Sequence, residues 1–347
     1  MRRTTLTITI ISALLFGSCA TTNFLSIDVM TPAAISFPPE VVNLVVLDNT
    51  GNQPADENHI TVDFDGRIAK SAVSNDSVKK VFKEAFVQFM NEDKYFNKVE
   101  LYPWATRTDS DYNRVALLMT GEIEDICKAT DADALVSIDM FVTASNMELG
   151  KGAGPFSMGF NELKGIVGIS GRIYNKSGRM LARPIAQIDS VFWNNIDNYI
   201  PHREDALLEL ALISAERFTK GFIPYWDKRE RWYFSDNTSS MKNGAKLAKG
   251  GYWKDAALVW GEAYEKENNT TRKIKLASNI ALANECLDDI ENASNWIDIA
   301  FDLLPEKDGR ELAIMVFSYK KQLDLRKSNI SKLKDQLGND EIESIEQ

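Results

Sequence analysis

Few residues in this 347-residue chain have the types and spacing that catalysis requires. The two histidines, His59 and His202, stand far apart, and neither has a metal-binding spacing such as HxxxH, so we interpret both as isolated loop residues. The glycine-rich run Gly150 to Gly154 (GKGAG) has the composition of a phosphate loop. It lacks the GK[ST] ending and lies between two strand-like runs, which indicates a hairpin connection and not a nucleotide site.

Acidic, serine and cysteine residues are equally uninformative about catalysis. Acid pairs such as Glu122 and Asp125 fall on predicted helices, whereas carboxylate catalysis needs two acids held across a cleft. The segment 168–171 (GISG) has the wrong spacing for a serine nucleophile. Cys127 and Cys286 lie in helical patterns beside apolar residues, which favours two buried thiols over a disulfide. We therefore expect that the protein is not an enzyme and has no cofactor and no metal site.

Cys19 is the residue whose setting indicates a covalent modification. It follows an apolar run from Leu6 to Phe16, too short to span a bilayer, and the small pair Gly17-Ser18. This order is similar to the lipobox of bacterial lipoproteins, in which the cysteine is lipidated and becomes the mature N-terminus. The resemblance implies that residues 1–18 are a signal peptide and that Cys19 carries acyl chains such as palmitate. Each buried methylene would contribute about 0.8 kcal/mol to membrane retention.

An ordinary secretory signal cleaved elsewhere and a simple N-terminal membrane anchor are the alternatives for this segment. Residues 20–23 after the cysteine lack the acidic cluster associated with surface display, which favours an outer-membrane lipoprotein that faces the periplasm. The formal charge of −10 argues against a nucleic-acid partner. The expected partners are therefore the membrane, through the lipid, and a protein or peptide of the cell envelope.

Residues 40–234 predict an α+β domain in which helices pack on a mixed sheet. Val41 to Leu47 is an apolar run, with Asn43 as its one polar residue, between turn residues, which is typical of a buried strand. The apolar stripe from Val78 to Met90 has helical spacing and must cover one face of a sheet. The segment before that stripe, residues 52–75, is polar and predicts a long loop. Later patterns predict a helix at 115–129, strands at 134–143, 165–174 and 180–193, and a helix at 203–220.

Parts of this region resemble a known type of domain. They are the segments VVNLVVLDNTG, FKEAFVQF, DADALVSIDM and GRIYNKSGRML. Together they are similar to the small α/β domains of bacterial envelope lipoproteins of the curli-secretion and penicillin-binding-protein-activator type. The resemblance implies an envelope location for the domain, which residues 19–39 would tether to the lipid.

Residues 235–337 predict an all-α domain of helical repeats. Small and apolar residues recur at the spacings of a tetratricopeptide repeat, whose length is about 34 residues. These positions are Gly244, Ala256, Trp260 and Ala263 in one unit, and Ala281, Ala293, Ile297, Ala300 and Pro305 in the next. A capping helix and an acidic tail at 338–347 follow; a generic helical hairpin is the alternative. The whole arrangement resembles a family of tetratricopeptide lipoproteins of gut-type anaerobes, which has no assigned activity.

Two sets of residues are candidates for partner binding. The first lies on the helix that lines the inner groove in such repeats, namely Lys275, Ser278, Asn279, Leu282 and Glu285. Lys275 and Asn279 are one turn apart, and we expect both to be exposed and able to hold a peptide carboxylate, with solvated surface as the alternative. The second is the aromatic segment at the domain boundary that contains Trp226 and Trp232. It could anchor a partner or a sugar, with packing between domains as the alternative.

The sequence thus predicts a lipid-anchored envelope binding or adaptor protein that acts through helical repeats without catalysis. An accessory subunit or regulator of an envelope assembly, such as a secretion channel or a cell-wall synthase, is the alternative. A glycan-directed enzyme is the third hypothesis.

Overall fold

The computed structural model describes residues 21–92, 94–150, 159, 161–195, 199–305 and 310–338. The signal-like segment with Cys19, residues 151–154 of the glycine-rich run and the tail from 339 onward lie outside the described residues. Two compact units are present, residues 32–225 and residues 21–31 together with 226–338.

The elements of the described residues are as follows in chain order. The strands are β1 (Thr21–Thr31), β2 (Asn43–Asp48), β3 (His59–Val62), β4 (Ile68–Lys70), β5 (Lys98–Leu101), β6 (Ala134–Leu149), β7 (Asn161–Asn175), β8 (Ile185–Asn194) and β9 (Tyr225–Ser235). The helices are α1 (Asn75–Glu92), α2 (Thr120–Thr130), α3 (Arg203–Thr219), α4 (Ser239–Lys249), α5 (Trp253–Lys266), α6 (Thr270–Glu285), α7 (Ile290–Asp302) and α8 (Arg310–Leu337).

The α/β unit, residues 32–225, contains a mixed sheet of seven strands within its described part. Strand β2 lies between β5 and β6 and is parallel to both. The same edge of β6 that pairs with β2 pairs farther along with β3, again in parallel, while β4 is antiparallel to β3. On its other edge β6 pairs with β7 along almost its whole length, and β8 follows β7, both antiparallel. The predicted mixed sheet is confirmed.

The pattern of apolar residues follows from which sheet faces are covered. In β2, Leu44 and Val46 belong to a core cluster shared with α1 and α3, whereas Val45 and Leu47 pack with α2 on the opposite face. A strand covered on both faces reads as a continuous apolar run, as predicted for Val41 to Leu47. Burial alternates along β7, because helices cover only one of its faces.

A glycine in β7 permits a close approach between two strands. The pairing of β6 with β7 shifts register between Ile138 and Met140, which marks a β-bulge. Opposite this irregularity, a Cβ on Gly171 would lie 2.6 Å from the carbonyl oxygen of Ser137. Any side chain at position 171 would therefore force the two backbones apart.

The helical unit contains the hairpins α4–α5 and α6–α7, followed by α8. Most repeat positions that the sequence singled out in the helices are buried, namely Gly244, Ala256, Trp260, Ala281, Ala293, Ile297 and Ala300, while Ala263 is half-buried. Gly244 lies directly against the indole of Trp260, where an added Cβ would fall 2.2 Å from Nε1. Small residues thus allow the paired helices to pack closely, as the spacing predicted.

Three segments differ from the sequence expectation. Residues 19–39 were expected to form a tether, but Thr21–Thr31 form β1, which pairs with β9. Strand β9, from Trp226 onward, packs within the helical unit, whereas the sequence prediction ended the α/β domain at residue 234. The expected loop at 52–75 contains the short strands β3 and β4. No helix of the described residues has the length and apolar character needed to cross a membrane.

Ala293→Leu tests the packing register of the helical unit. Ala293 is fully buried between helices, so the larger side chain should lower the free energy of unfolding by roughly 1–3 kcal/mol. The control is Glu291→Gln on the same helix, whose carboxylate pairs with Lys327 at the surface and should contribute less than about 1 kcal/mol. Thermal or urea unfolding measures both, and equal stability of the two variants would contradict the register.

Candidate functional site

The expected peptide groove on α6 is closed by β9. The Asn279 side-chain amide donates to the carbonyl oxygen of Phe234 at 2.8 Å and accepts from the Phe234 N–H at 2.7 Å. Ser278, Asn279 and Leu282 are all fully buried. The expectation that Asn279 is exposed is therefore wrong, because its amide satisfies the backbone of a strand that the sequence did not place there.

Lys275 is the half-buried member of the predicted groove set. Its Nζ lies 5.7 Å from the centre of the Phe234 ring, a cation–π contact with the same strand. The side chain thus packs on β9, and the two residues proposed to hold a peptide carboxylate do not form a common exposed surface.

Glu285 lies at the centre of a buried ionic network. The Arg231 guanidinium donates to both carboxylate oxygens at 2.7 Å, the Tyr319 hydroxyl donates at 2.8 Å, and Arg326 donates at 3.2 Å. Burial alone would raise the pKa of Glu285, but the two arginines and the tyrosine hydroxyl outweigh it and hold the pKa below its usual value. This residue of the predicted groove is therefore structural, because its carboxylate holds β9 to α6 and α8.

The two aromatic candidates have different environments. Trp232 is half-buried, with its ring centre 5.9 Å from that of Tyr319 in α8. Trp226 is 55% exposed at the start of β9. Trp232 therefore belongs to the core of the helical unit, while Trp226 remains accessible.

The thiols have no nucleophilic character at neutral pH. Cys127 is buried and Cys286 is half-buried, and neither forms a disulfide. Burial raises the pKa of Cys127 to about 11 and that of Cys286 to about 12. Both thiols therefore stay protonated and unreactive.

Two aspartates are buried in the α/β unit, Asp48 at the end of β2 and Asp139 in β6. Asp48 Oδ2 accepts from Lys83 Nζ at 2.5 Å, and Asp139 Oδ2 accepts from Arg172 at 2.7 Å. Burial would raise the pKa of Asp48, but Lys79 and Lys83 lower it on balance, while burial raises the pKa of Asp139. Each carboxylate is enclosed and has its own cation, so neither presents an oxygen to a substrate.

His59 is not a loop residue, as the sequence suggested, but begins β3 in a fully buried polar network. Its Nδ1 lies 2.8 Å from Ser145 Oγ, and its Nε2 lies 3.0 Å from Asn75 Oδ1. Burial, and to a smaller degree Arg203, lower the pKa of His59, although the bond to Asn75 opposes this. The serine has a histidine partner but is itself 96% buried, which leaves no path for an acyl substrate. His202, by contrast, is exposed directly before α3.

Two of the cavities in the described residues have volumes typical of small-molecule sites. One of about 470 Å³ lies between α4 and α5 and has a mostly polar lining that includes Asn243, Glu262 and Lys266. The other, of about 430 Å³, lies in the α/β unit at the start of α3 and is lined by Thr61, Ser71, Met147, Tyr199, Ile200, Pro201, His202 and Arg203. Sequence reasoning identified neither. Throughout the described part of the chain, no three His, Cys, Asp or Glu side chains are grouped to hold a metal ion.

Comparison with known proteins gives two family matches. A model described as Domain of unknown function (DUF8603) matches residues 41–234, and one described as Domain of unknown function (DUF6340) matches residues 242–325. No curated protein matches the sequence.

Several solved structures from bacteria are similar at low identity. A minor lipoprotein from Acinetobacter baumannii is 9% identical, with a TM-score of 0.25 over 52% of this chain and 91% of that chain. A DUF330 protein from Xanthomonas campestris is 7% identical, with a TM-score of 0.29 over 56% of this chain and 94% of that chain. The rare lipoprotein B from Shewanella oneidensis is 10% identical, with a TM-score of 0.22 over 50% and 89%.

Asn279→Ala tests whether α6 holds β9. The change leaves the N–H and carbonyl of Phe234 without their side-chain partners, which should cost about 1–3 kcal/mol for each group. Lys275→Ala removes a neighbouring side chain on the same helix and should have a much smaller effect. Urea unfolding measures both, and hydrogen exchange at Phe234 should accelerate in Asn279→Ala only. Small and equal losses of stability in Asn279→Ala and Lys275→Ala would contradict the packing of β9 on α6 and support an open groove.

Proposed function

We propose that this chain, which belongs to the DUF8603 family of domains of unknown function, is a lipid-anchored protein of the bacterial cell envelope that acts by binding and not by catalysis. The anchor rests on the sequence alone, since Cys19 lies outside the described residues. The apolar run that ends in Gly17-Ser18 before Cys19 supports lipidation. The neutral residues 20–23 support retention at the outer membrane facing the periplasm.

The chemistry of the described residues supports a binding role. The imidazole of His59, the thiols and the buried aspartates are each enclosed, and each has protein partners or a pKa that removes its reactivity. An active site requires a base and a nucleophile that can reach a common substrate atom. None of these groups offers such a position, which favours binding over turnover.

The observation that carries the adaptor role is an exposed apolar stripe on α8. Ile314, Phe317 and Leu325 are 62%, 46% and 56% exposed, and their spacing places them on one side of the helix. Lys321 lies between Phe317 and Leu325 on this side, with its Nζ 4.5 Å from the centre of the Phe317 ring. The opposite side is buried through Val316, Tyr319 and Leu323. The last helix of a repeat array normally has a polar outer face, because that face meets water. A tetratricopeptide-like unit that ends in an apolar stripe is therefore suited to hold a protein partner of the envelope.

Cys19→Ala tests the anchor. Without the thiol no acyl chain can be attached, so the variant should leave the membrane fraction, move to the aqueous phase in detergent partitioning and fail to incorporate a palmitate analogue. Cys127→Ala is the matched control, since this buried thiol should carry no lipid and its removal should leave labelling unchanged. Equal labelling of the wild-type protein and Cys19→Ala would remove the lipoprotein proposal.

Site-specific photo-crosslinking in intact cells tests the adaptor surface. A benzophenone amino acid in place of Phe317 should form a discrete adduct with an envelope protein. The same residue in place of Lys334, which is exposed on another side of the same helix, should form none. Identical adducts at both positions, or none at either, would refute partner binding through α8.

A further inference from the structure

The cavity at the start of α3 contains a guanidinium that no carboxylate neutralises within the described residues. Arg203 donates through Nη1 to the carbonyl oxygen of Ile60 at 2.9 Å and to Ser145 Oγ at 2.8 Å, and through Nη2 to Thr61 Oγ1 at 2.7 Å. All of these acceptors are neutral. Burial lowers the pKa of Arg203, and no acidic group opposes that effect.

The guanidinium retains donors for a further acceptor. It has five N–H groups, and the contacts with Ile60, Ser145 and Thr61 use three of them. In the described residues the Nε–H and one Nη2–H are left without an acceptor. A partly buried cation in this state gains from an anion, because charge-assisted hydrogen bonds are shorter and stronger than neutral ones.

The hydroxyl groups of Thr61 and Ser71 provide one further hydrogen-bond donor beside Arg203. Thr61 Oγ1 and Ser71 Oγ are 3.2 Å apart, and one of them donates to the other. Thr61 Oγ1 already accepts from Arg203. Whichever hydroxyl donates within the pair, the proton of the other remains for a ligand in the cavity, which both residues line.

The start of α3 adds the field of a helix N-terminus to the same cavity. The helix has 17 residues, and the first N–H groups of any α-helix have no partner within the helix. His202 precedes the helix, its side chain makes no capping bond, and it lines the cavity. Glu204 and Asp205 follow Arg203 but are exposed and do not line the cavity.

The remaining walls are apolar. Met147, Ile200 and Pro201 also line the cavity, together with Tyr199, of which 80% of the surface is exposed. A volume of about 430 Å³ lies within the range of small-molecule sites, roughly 300–1,000 Å³. The lining therefore combines the hydrogen-bond donors of Arg203, Thr61 and Ser71 with apolar side chains.

We propose that this cavity binds an oxyanion, a carboxylate or a phosphate, carried on a small apolar group, and that Arg203 is its principal contact. The site goes beyond the proposed function and does not depend on the lipid anchor, so the two proposals fail independently.

Titration of the purified full chain in a neutral detergent at fixed pH, from whichever cell fraction contains it, tests the site. The probes are phenyl phosphate, benzoate, inorganic phosphate and benzyl alcohol. The ring signal of His202, assigned with His202→Gln in a chain of two histidines, reports occupancy by NMR. Phenyl phosphate or benzoate should shift this signal saturably, and which of them binds more tightly identifies the oxyanion. Inorganic phosphate should bind more weakly, and benzyl alcohol should not saturate.

Arg203→Gln should raise the dissociation constant at least tenfold, and Arg203→Lys should raise it less because the charge remains. Arg183→Gln, which removes the same charge at an exposed position away from the cavity, should leave affinity unchanged. Thr61→Val with Ser71→Ala removes both hydroxyls while the contacts of Arg203 with Ile60 and Ser145 remain, so it decides the outcome if Arg203→Gln perturbs folding. The absence of a saturable shift would overturn the site. So would equal affinity of Arg203→Gln and Arg183→Gln, or of the hydroxyl-free variant and the wild-type protein.

Discussion

The hydrogen-bonding capacity of one long strand organises the α/β unit. Strand β6 spans 16 residues, and one of its edges is divided between β2 near its start and β3 near its end, while β7 occupies the other edge. Because β6 pairs with three strands along its length, the elements that pack on its faces differ from one end to the other. Near β2 both faces are packed by helices, and most side chains there are apolar, with the buried Ser137 and Asp139 as polar exceptions. Near β3 the side chains include Thr143 and Ser145, which meet His59 and Asn75.

The polar end of β6 follows from the same geometry. His59 stands opposite Ser145 in the parallel register of β3 and β6, so the imidazole is enclosed as soon as the strands pair. The hydrogen bonds have one consistent direction: Arg203 donates to Ser145 Oγ, the serine hydroxyl donates to Nδ1 of His59, and Nε2–H donates to Asn75. If the imidazole were protonated, its Nδ1–H would face the hydroxyl proton of Ser145, and the hydroxyl would have to turn away. This cost agrees with the lowered pKa of His59. The neutral network thus fixes Arg203 at the mouth of the cavity without supplying a counter-ion.

Sequence reasoning located the elements whose pattern reports their own burial. Val41 to Leu47 and the stripe from Val78 to Met90 are examples, because their apolar residues point at a core whichever element completes it. Sequence reasoning was wrong about burial where a residue is covered by an element that is distant in the chain. Asn279 is a polar residue on a helix and looks solvated, yet β9 lies on it and uses both functions of its amide. Likewise, β3 and β4 have only four and three residues, too few for a periodic pattern to emerge from a polar segment.

The position of Arg203 in the sequence is itself a signal for the cavity. The first turn of a helix favours acids, since the partial positive charge of the N-terminus repels cations. Arg203 occupies the first position of α3, against that preference, and only Glu204 and Asp205 after it follow the rule. When a residue occupies a position that its helix disfavours, an interaction with another element usually requires it. For Arg203 this interaction is with the backbone and hydroxyl acceptors of β3 and β6. These acceptors hold the cation beside a helix N-terminus, and the two positive fields reinforce each other in the space that the cavity leaves open.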